Sequence, residues 1–232
     1  MQKLWIICFF AFIIPCFYII SGQYNTSIID LWKIIGNQFG NFYQVDPIVE
    51  RVFLHLRIPR AITAIICGAG LAASGCALQG IFSNPLIGPQ IIGVYSGAAF
   101  GGALGILLYE NSYFVLLLAF VFGIISMILV FFISQVNHSS NRLTLILAGI
   151  VSSSFFLALV SMVKFLADPD DKLPAITYWL MGSFVTSSYE KILIVSPPIL
   201  ISIILLAILG YRIDVLNLGD DHAKSLGLNV NL

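Results

Sequence analysis

Between Arg60 and Glu110 the chain carries no charged side chain at all. A bilayer crossing takes about 20 apolar residues in a helix, so a run of this length is too long for one passage. It must break, and Ser83-Asn84-Pro85-Leu86-Ile87-Gly88-Pro89 supplies the break. Two prolines and a glycine end one helix there and open another. The remainder of the 232 residues follows suit: 59% are hydrophobic, 9% are charged and the mean hydropathy is +1.00. Soluble domains carry about 25% charged residues, so this composition excludes a soluble enzyme and a disordered chain. A formal net charge of zero also excludes a phosphate-tracking nucleic-acid binder, which needs a basic surplus. A transmembrane barrel would alternate polar and apolar residues in strands of about ten. The apolar runs here are continuous, and the fold class they predict is an all-α integral membrane protein, a polytopic helical bundle.

The hydropathy pattern predicts six spans: Leu4–Ile20, Ala61–Phe82, Ile91–Leu108, Tyr113–Ser134, Leu143–Leu166 and Ile192–Gly210. Lys3 followed by the first of these imitates a signal peptide. Its apolar stretch exceeds the usual 7–15 residues and no A-x-A site follows, so it reads as an uncleaved span. Two further segments read as interfacial helices. One holds Ile28, Ile29, Leu31, Trp32, Ile34 and Ile35; the other runs from Ile176 to Met181 with Tyr178 and Trp179, aromatics suited to headgroup level. Pro197-Pro198 should bend the last span or mark its true start. Cys8, Cys16, Cys67 and Cys76 all fall in apolar runs and read as small buried hydrophobes. Cys67 and Cys76 would lie about 13 Å apart on one helix, too far for a disulfide.

Gly93, Gly97, Gly101 and Gly105 recur every fourth residue, a stripe along one helix face; Gly70 with Ser74 and Gly68 with Ala72 do the same one span earlier. In lipid, small residues let helix backbones approach closely, so the stripe reads as a packing face, with a glycine-lined conduit as the alternative.

Orientation is contested by the charges. A cytoplasmic N-terminus puts Lys3, Arg142, Arg212 and Lys224 inside. It leaves Lys33, Arg51, Arg57, Arg60, Lys172 and Lys191 outside, with Lys164 near that face. The tendency of basic residues to stay in the cytoplasm favours the reverse.

Candidate catalysts are scarce. His55, His138 and His222 all lie in polar segments, and Ser96 in Gly93-Val94-Tyr95-Ser96-Gly97 has no intramembrane base to activate it. No G-x-x-x-x-G-K-[ST] loop is present for nucleotide phosphates. The spans hold almost no ionisable residue, whereas proton and sodium relays place acids in the membrane. A porter powered from outside the chain fits this inventory best.

Two polar segments carry more information. Arg57-Ile58-Pro59-Arg60 precedes the second span; its arginines either meet lipid headgroups or clamp carboxylates on another protein. Leu216 to Gly227 places Asp220 and Asp221 at the start of a turn, Lys224 near its end and Gly227 where it can stop, with Leu218, Ala223 and Leu226 as a small apolar face. It is either a solvated loop or a short capped docking helix.

Taken together, the chain resembles the FecCD-type permeases of ABC importers for iron-siderophore complexes, haem and cobalamin. The resemblance rests on Arg57-Ile58-Pro59-Arg60, the run Gly68 to Gly75, Gln79, Asn84-Pro85-Leu86 with Pro89, Gly93-Val94 and Ser96-Gly97-Ala98. It continues through Leu147-Ala148-Gly149, Tyr178-Trp179-Leu180-Met181-Gly182-Ser183, and Leu218-Gly219 to Leu226-Gly227. What it implies is a single permease domain over residues 1–232 in the bacterial plasma (inner) membrane, multi-pass, with a cytoplasmic N-terminus and without catalysis of its own. Arg57 and Arg60 match the segment that pairs with glutamates on a periplasmic or surface-anchored substrate-binding protein. Gly219, Asp220, Asp221, Ala223, Lys224, Leu226 and Gly227 match the cytoplasmic coupling helix, here within residues 211–232, that inserts into the ATPase. ATP and Mg would bind in that partner, no cofactor in this chain, and a second permease copy would complete the path. The family usually has ten spans, so six implies a truncated gene, a split permease or a fragmentary sequence. A nonfunctional or regulatory fragment is the alternative function, and an intramembrane enzyme the weakest.

Overall fold

The structure, a computed structural model, describes residues 2–22, 27–37, 40, 43–109, 111–135, 142–217, 219 and 225. Among them every regular element is helical: α1 (Gln2–Ile20), α2 (Ile28–Asn37), α3 (Pro47–Arg51), a wide π-helical turn (Val52–Arg57), α4 (Ile58–Phe82), a 3₁₀ turn (Pro89–Ile92), α5 (Val94–Leu108), α6 (Ser112–Gln135), α7 (Arg142–Leu166), α8 (Lys172–Met181) and α9 (Tyr189–Asn217). Four helical stretches are long and apolar enough to cross a membrane: Pro47–Phe82, Ser112–Gln135, Leu143–Leu166 and Tyr189–Asn217.

Three boundaries differ from the sequence expectation. The second span does not begin at Ala61. Helical structure runs unbroken from Pro47 to Phe82 over 36 residues, because Asp46 caps it, its Oδ1 accepting from the Ile48 backbone N–H at 2.8 Å, with Pro47 in the first turn. The third span is only the 15-residue α5, about 22 Å long against a hydrocarbon core of about 30 Å. Gly93, at φ 78°, ends the 3₁₀ turn and stops Ile91 and Ile92 from joining it. Pro197-Pro198 lies inside α9 and does not mark its start.

The chain divides into two compact units, Met1–Gly70 with Phe184–Ile204, and Leu71–Ser183 with Leu205–Leu232. In the first, Leu31, Ile34, Val49 and Phe53 form the buried core, with Ile19, Ile20, Val45, Leu54 and Ile58 packed on it. The opening of α2 is written in its sequence: the Ser27 hydroxyl accepts from Ile29 N–H at 3.3 Å and Asp30 Oδ2 accepts from Ser27 N–H at 3.1 Å, a reciprocal cap. This helix divides its apolar residues, Leu31 and Ile34 entering the core while Ile29, Trp32 and Ile35 stay exposed. In the second unit α5 is the hub, packed by α6, α7 and α8. Ala103, Val163, Ala167 and Ile176 are buried at its centre, and Phe100 of α5 meets Phe122 of α6 edge to face at 4.9 Å.

Candidate docking and coupling sites

Val49, Phe53, Arg57 and Ala61 are all buried, each four residues after the last. On a regular α-helix each step of four overshoots a full turn by about 40°, so four such residues would drift off one face. The wide turn corrects this drift. The Ile58 N–H donates to Phe53 O, five residues back, and the extra residue in the turn keeps Arg57 on the inner side. Arg57 is 6% exposed. Its Nη1 donates to Ile19 O at 2.9 Å and Ile20 O at 3.1 Å, carbonyls in the last turn of α1, where helix carbonyls look outside the helix for donors. That end is also the negative pole of the helix. A Cβ on Gly22 would lie 2.5 Å from Arg57 Nη2, so the glycine leaves the space the guanidinium fills.

Arg60 is placed differently. It is partly exposed, its Nη2 donates to Val185 O at 3.3 Å, and its Nε is buried without a hydrogen-bond partner among the described residues. Pro59 between the two arginines is fully buried. Tyr189, at the start of α9, donates its hydroxyl to Leu54 O within the wide turn at 2.8 Å. The sequence treats Arg57 and Arg60 as a pair; the fold buries one and leaves the other partly exposed.

The Asn84-Pro85-Leu86 turn lies in the second unit. Asn84 Oδ1 accepts from Leu86 N–H at 3.0 Å, and Asn84 N–H donates to Gln79 O at 3.1 Å. Leu86 is thereby held out at 88% exposure while Ile87 is buried. Pro89 opens the 3₁₀ turn that follows. Ser83, at φ 49°, donates its hydroxyl to Asn217 O at 3.2 Å. A Cβ on Gly80 would sit 2.5 Å from Ile213 Cγ2, so the end of α4 and the last turns of α9 are in contact. Gly219 then takes φ 101°, a conformation that favours glycine. Asp220, Asp221, Ala223, Lys224, Leu226 and Gly227 lie outside the described residues.

The glycine stripe of α5 faces α6. A Cβ on Gly97 would strike Ser126 Cβ and Phe122 O, one on Gly101 would strike Leu118 O, and one on Gly105 would lie 2.8 Å from Val115 Cα. Gly93 continues the line, 3.2 Å from Gly149 O by the same measure. On α4 the expectation divides: Gly70 approaches Ile199 Cγ2 at 3.0 Å, whereas Gly68 has nothing within 4 Å.

Ser126 and Ser152 at this hub were not singled out by sequence, and Ser96 was read there as a hydroxyl without a base. Ser96 and Ser126 both donate to Gly93 O, at 2.7 and 2.8 Å, and Ser126 lies 3.2 Å from Ser152 Oγ. All three serines are buried; the signal was a hydroxyl in the middle of an apolar run. Ser96 spends its proton on a carbonyl, as a structural hydroxyl does. Trp179 is partly buried. Its ring packs onto Gly102, where any Cβ would collide with it, while Tyr178 is 72% exposed. Lys172 Nζ donates to Leu107 O at 2.6 Å, a cap on the end of α5.

A bundle of apolar helices held by small-residue contacts and buried hydroxyls, with buried or half-buried cations assigned to helix ends, is a polytopic helical membrane protein. The chain belongs to the FecCD transport family, whose sequence profile matches residues 7–232. It is 41% identical over 209 residues to the molybdate import system permease protein MolB of Haemophilus influenzae, covering 90% of this chain and 62% of that one. It is 33% identical over 231 residues to a probable iron chelatin transport system permease protein of Helicobacter pylori, covering 99% of this chain and 70% of the other. The hemin transport system permease protein HmuU of Yersinia pestis is 33% identical over 215 residues, covering 90% and 61%. A solved structure described as a metal-chelate type ABC transporter in an inward-facing conformation superposes with a TM-score of 0.82 at 38% identity, covering 98% of this chain and 68% of that chain. The chain thus spans less than two thirds of the molybdate and hemin permeases it matches.

Proposed function

We propose that the chain is a transmembrane subunit of a binding-protein-dependent ABC importer that moves a metal-containing solute inward. Alternating access of a path lined by permease helices is driven by a separate ATPase, which binds the ATP and Mg. Iron-siderophore complexes are the proposed cargo, in line with the iron chelatin permease among the relatives; the molybdate and hemin permeases define the competing cargoes. The N-terminus is cytoplasmic in the plasma membrane. Arg60 and its surroundings face the substrate-binding protein, Gly219 to Gly227 meets the ATPase, and a second permease copy completes the path.

The observation that carries this reading is Arg60: a partly exposed cation whose Nη2 donates to the Val185 carbonyl and whose guanidinium keeps further donors for a carboxylate on another molecule. The test is co-expression with the ATPase and binding protein encoded beside it, reconstitution into vesicles, and ATP-dependent uptake of a ferric siderophore, molybdate and haemin in parallel. Uptake of the ferric siderophore supports the full proposal. Uptake of molybdate or haemin alone keeps the importer and overturns the cargo. Failure of the ATPase to co-purify with the chain overturns the importer assignment.

A further inference from the structure

We propose that Arg57 is a positioning residue: it locks the carbonyl end of α1 to the wide turn at Val52–Arg57, and so sets Arg60 as the arginine of the pair that meets the partner protein. This rests on the docking reading of Arg60 given above.

Three independent features converge on the lock. Arg57 is buried, with one guanidinium nitrogen shared between the carbonyls of Ile19 and Ile20. The second terminal nitrogen of the planar guanidinium lies at Gly22, a shape that an ammonium does not reproduce. Gly22 leaves room for the other nitrogen, since a side chain there would begin 2.5 Å from it. And the helix departs from α geometry over the six residues that end at Arg57, which is what delivers that side chain to α1. Wide turns of this kind carry fewer favourable bonds and persist where the surroundings hold them. Without the lock, the turn is free to close to ordinary α geometry. Losing one residue from the turn rotates everything beyond it by about 100° relative to everything before it. Arg60 lies just beyond, so its direction depends on Arg57. Tyr189, donating to Leu54 O inside the turn, braces the same segment.

The inference separates the roles by experiment. Association of the detergent-purified chain with the substrate-binding protein encoded beside it is measured at two salt concentrations. The variants are Arg60→Gln, Arg57→Gln, the double substitution, Arg57→Lys and Gly22→Val. Arg60→Gln should weaken association on the order of tenfold and flatten its salt dependence. Arg57→Gln should weaken it comparably but add nothing in the Arg60→Gln background. Gly22→Val, which alters no charge, should reproduce Arg57→Gln, and Arg57→Lys should fail to restore binding although it keeps the charge. Additive losses in the double substitution, or rescue by lysine, would mean that Arg57 meets the partner itself and would overturn the proposal. The lock is also read without any partner, by thermal unfolding in detergent. Arg57→Gln and Gly22→Val should both lower Tm while Arg60→Gln leaves it unchanged, and an unchanged Tm in the first two sinks the lock. Wild-type association of Arg60→Gln alongside a lowered Tm in the other two would instead overturn the docking reading and leave the lock standing.

Discussion

At the scale of single residues, buried hydroxyls and cations are satisfied largely by backbone carbonyls. Gly93 shows this most fully. Its left-handed φ of 78° ends one turn and begins another, and its carbonyl collects the hydroxyls of Ser96 and Ser126. Ser126→Ala removes one of these bonds and leaves the carbonyl its other donors, so a loss of about 0.5–1.5 kcal/mol is expected. Ser126→Val adds a methyl where α5 comes close enough that a Cβ on Gly97 would collide with Ser126 Cβ, with about 1–3 kcal/mol more from overpacking. Thermal unfolding in detergent orders the two, and a valine variant as stable as the alanine would deny the close approach. By the same logic Gly97→Leu and Gly101→Leu should destabilise far more than Ala119→Leu, whose site is only partly buried; equal Tm values for all three would remove the stripe's packing role. The stripe was legible because its four-residue spacing has one physical use in lipid. The serines were not, because one hydroxyl in an apolar run looks the same whether it bonds back along its own helix, as Ser161 does to Leu157 O at 3.1 Å, or across to another.

At the scale of elements, charge misled the reading of helix starts. Glu50, Arg51, His55, Arg57 and Arg60 pushed the expected second span to Ala61, yet the helix begins at Pro47, its first turns packing Val49 and Phe53 on α1 and α2. Conversely, the apolar run from Ile91 overstated α5, whose start is fixed by the conformation of Gly93. The short hub helix is finished by α8, which supplies Lys172 to Leu107 O and lays Trp179 on Gly102. Lys172→Met should cost about 0.3–1 kcal/mol through loss of the cap, seen as a modest drop in Tm. Gly102→Val should expel the indole. The sequence has three tryptophans, so replacing Trp5 and Trp32 with Phe isolates Trp179. Its emission should then shift to the red and quench more readily on adding the valine, whereas an unchanged spectrum would mean that the ring is not seated on the glycine.

For the whole molecule, sequence established an all-helical membrane protein and its family, because hydropathy and motif order survive without coordinates. It left orientation in conflict, since counting basic residues takes no account of what each one does in the folded chain. Four of the cations that a cytoplasmic N-terminus places outside are tied to backbone carbonyls: Arg57 to Ile19 and Ile20, Arg60 to Val185, Lys172 to Leu107 and Lys191 to Thr186. Arg57 and Lys172 sit at the carbonyl ends of α1 and α5, where a cation contributes about 0.3–1 kcal/mol. Each is thus placed by the fold of its own unit, and counting it with the rest overstates the case for inversion. The prediction is made in a variant with Cys8, Cys16, Cys67 and Cys76 replaced by alanine, to which single cysteines are returned. Ser21→Cys, just past α1, and Asp170→Cys, between α7 and α8, should react with a membrane-impermeant maleimide on intact spheroplasts. Ser139→Cys, outside the described residues, should react only after lysis. Two outer sites from separate compact units make the assay redundant, since each must report the same face. The opposite pattern, with Ser139→Cys labelled in intact cells and the other two protected, would invert the topology and remove Arg60 from any contact with an external binding protein.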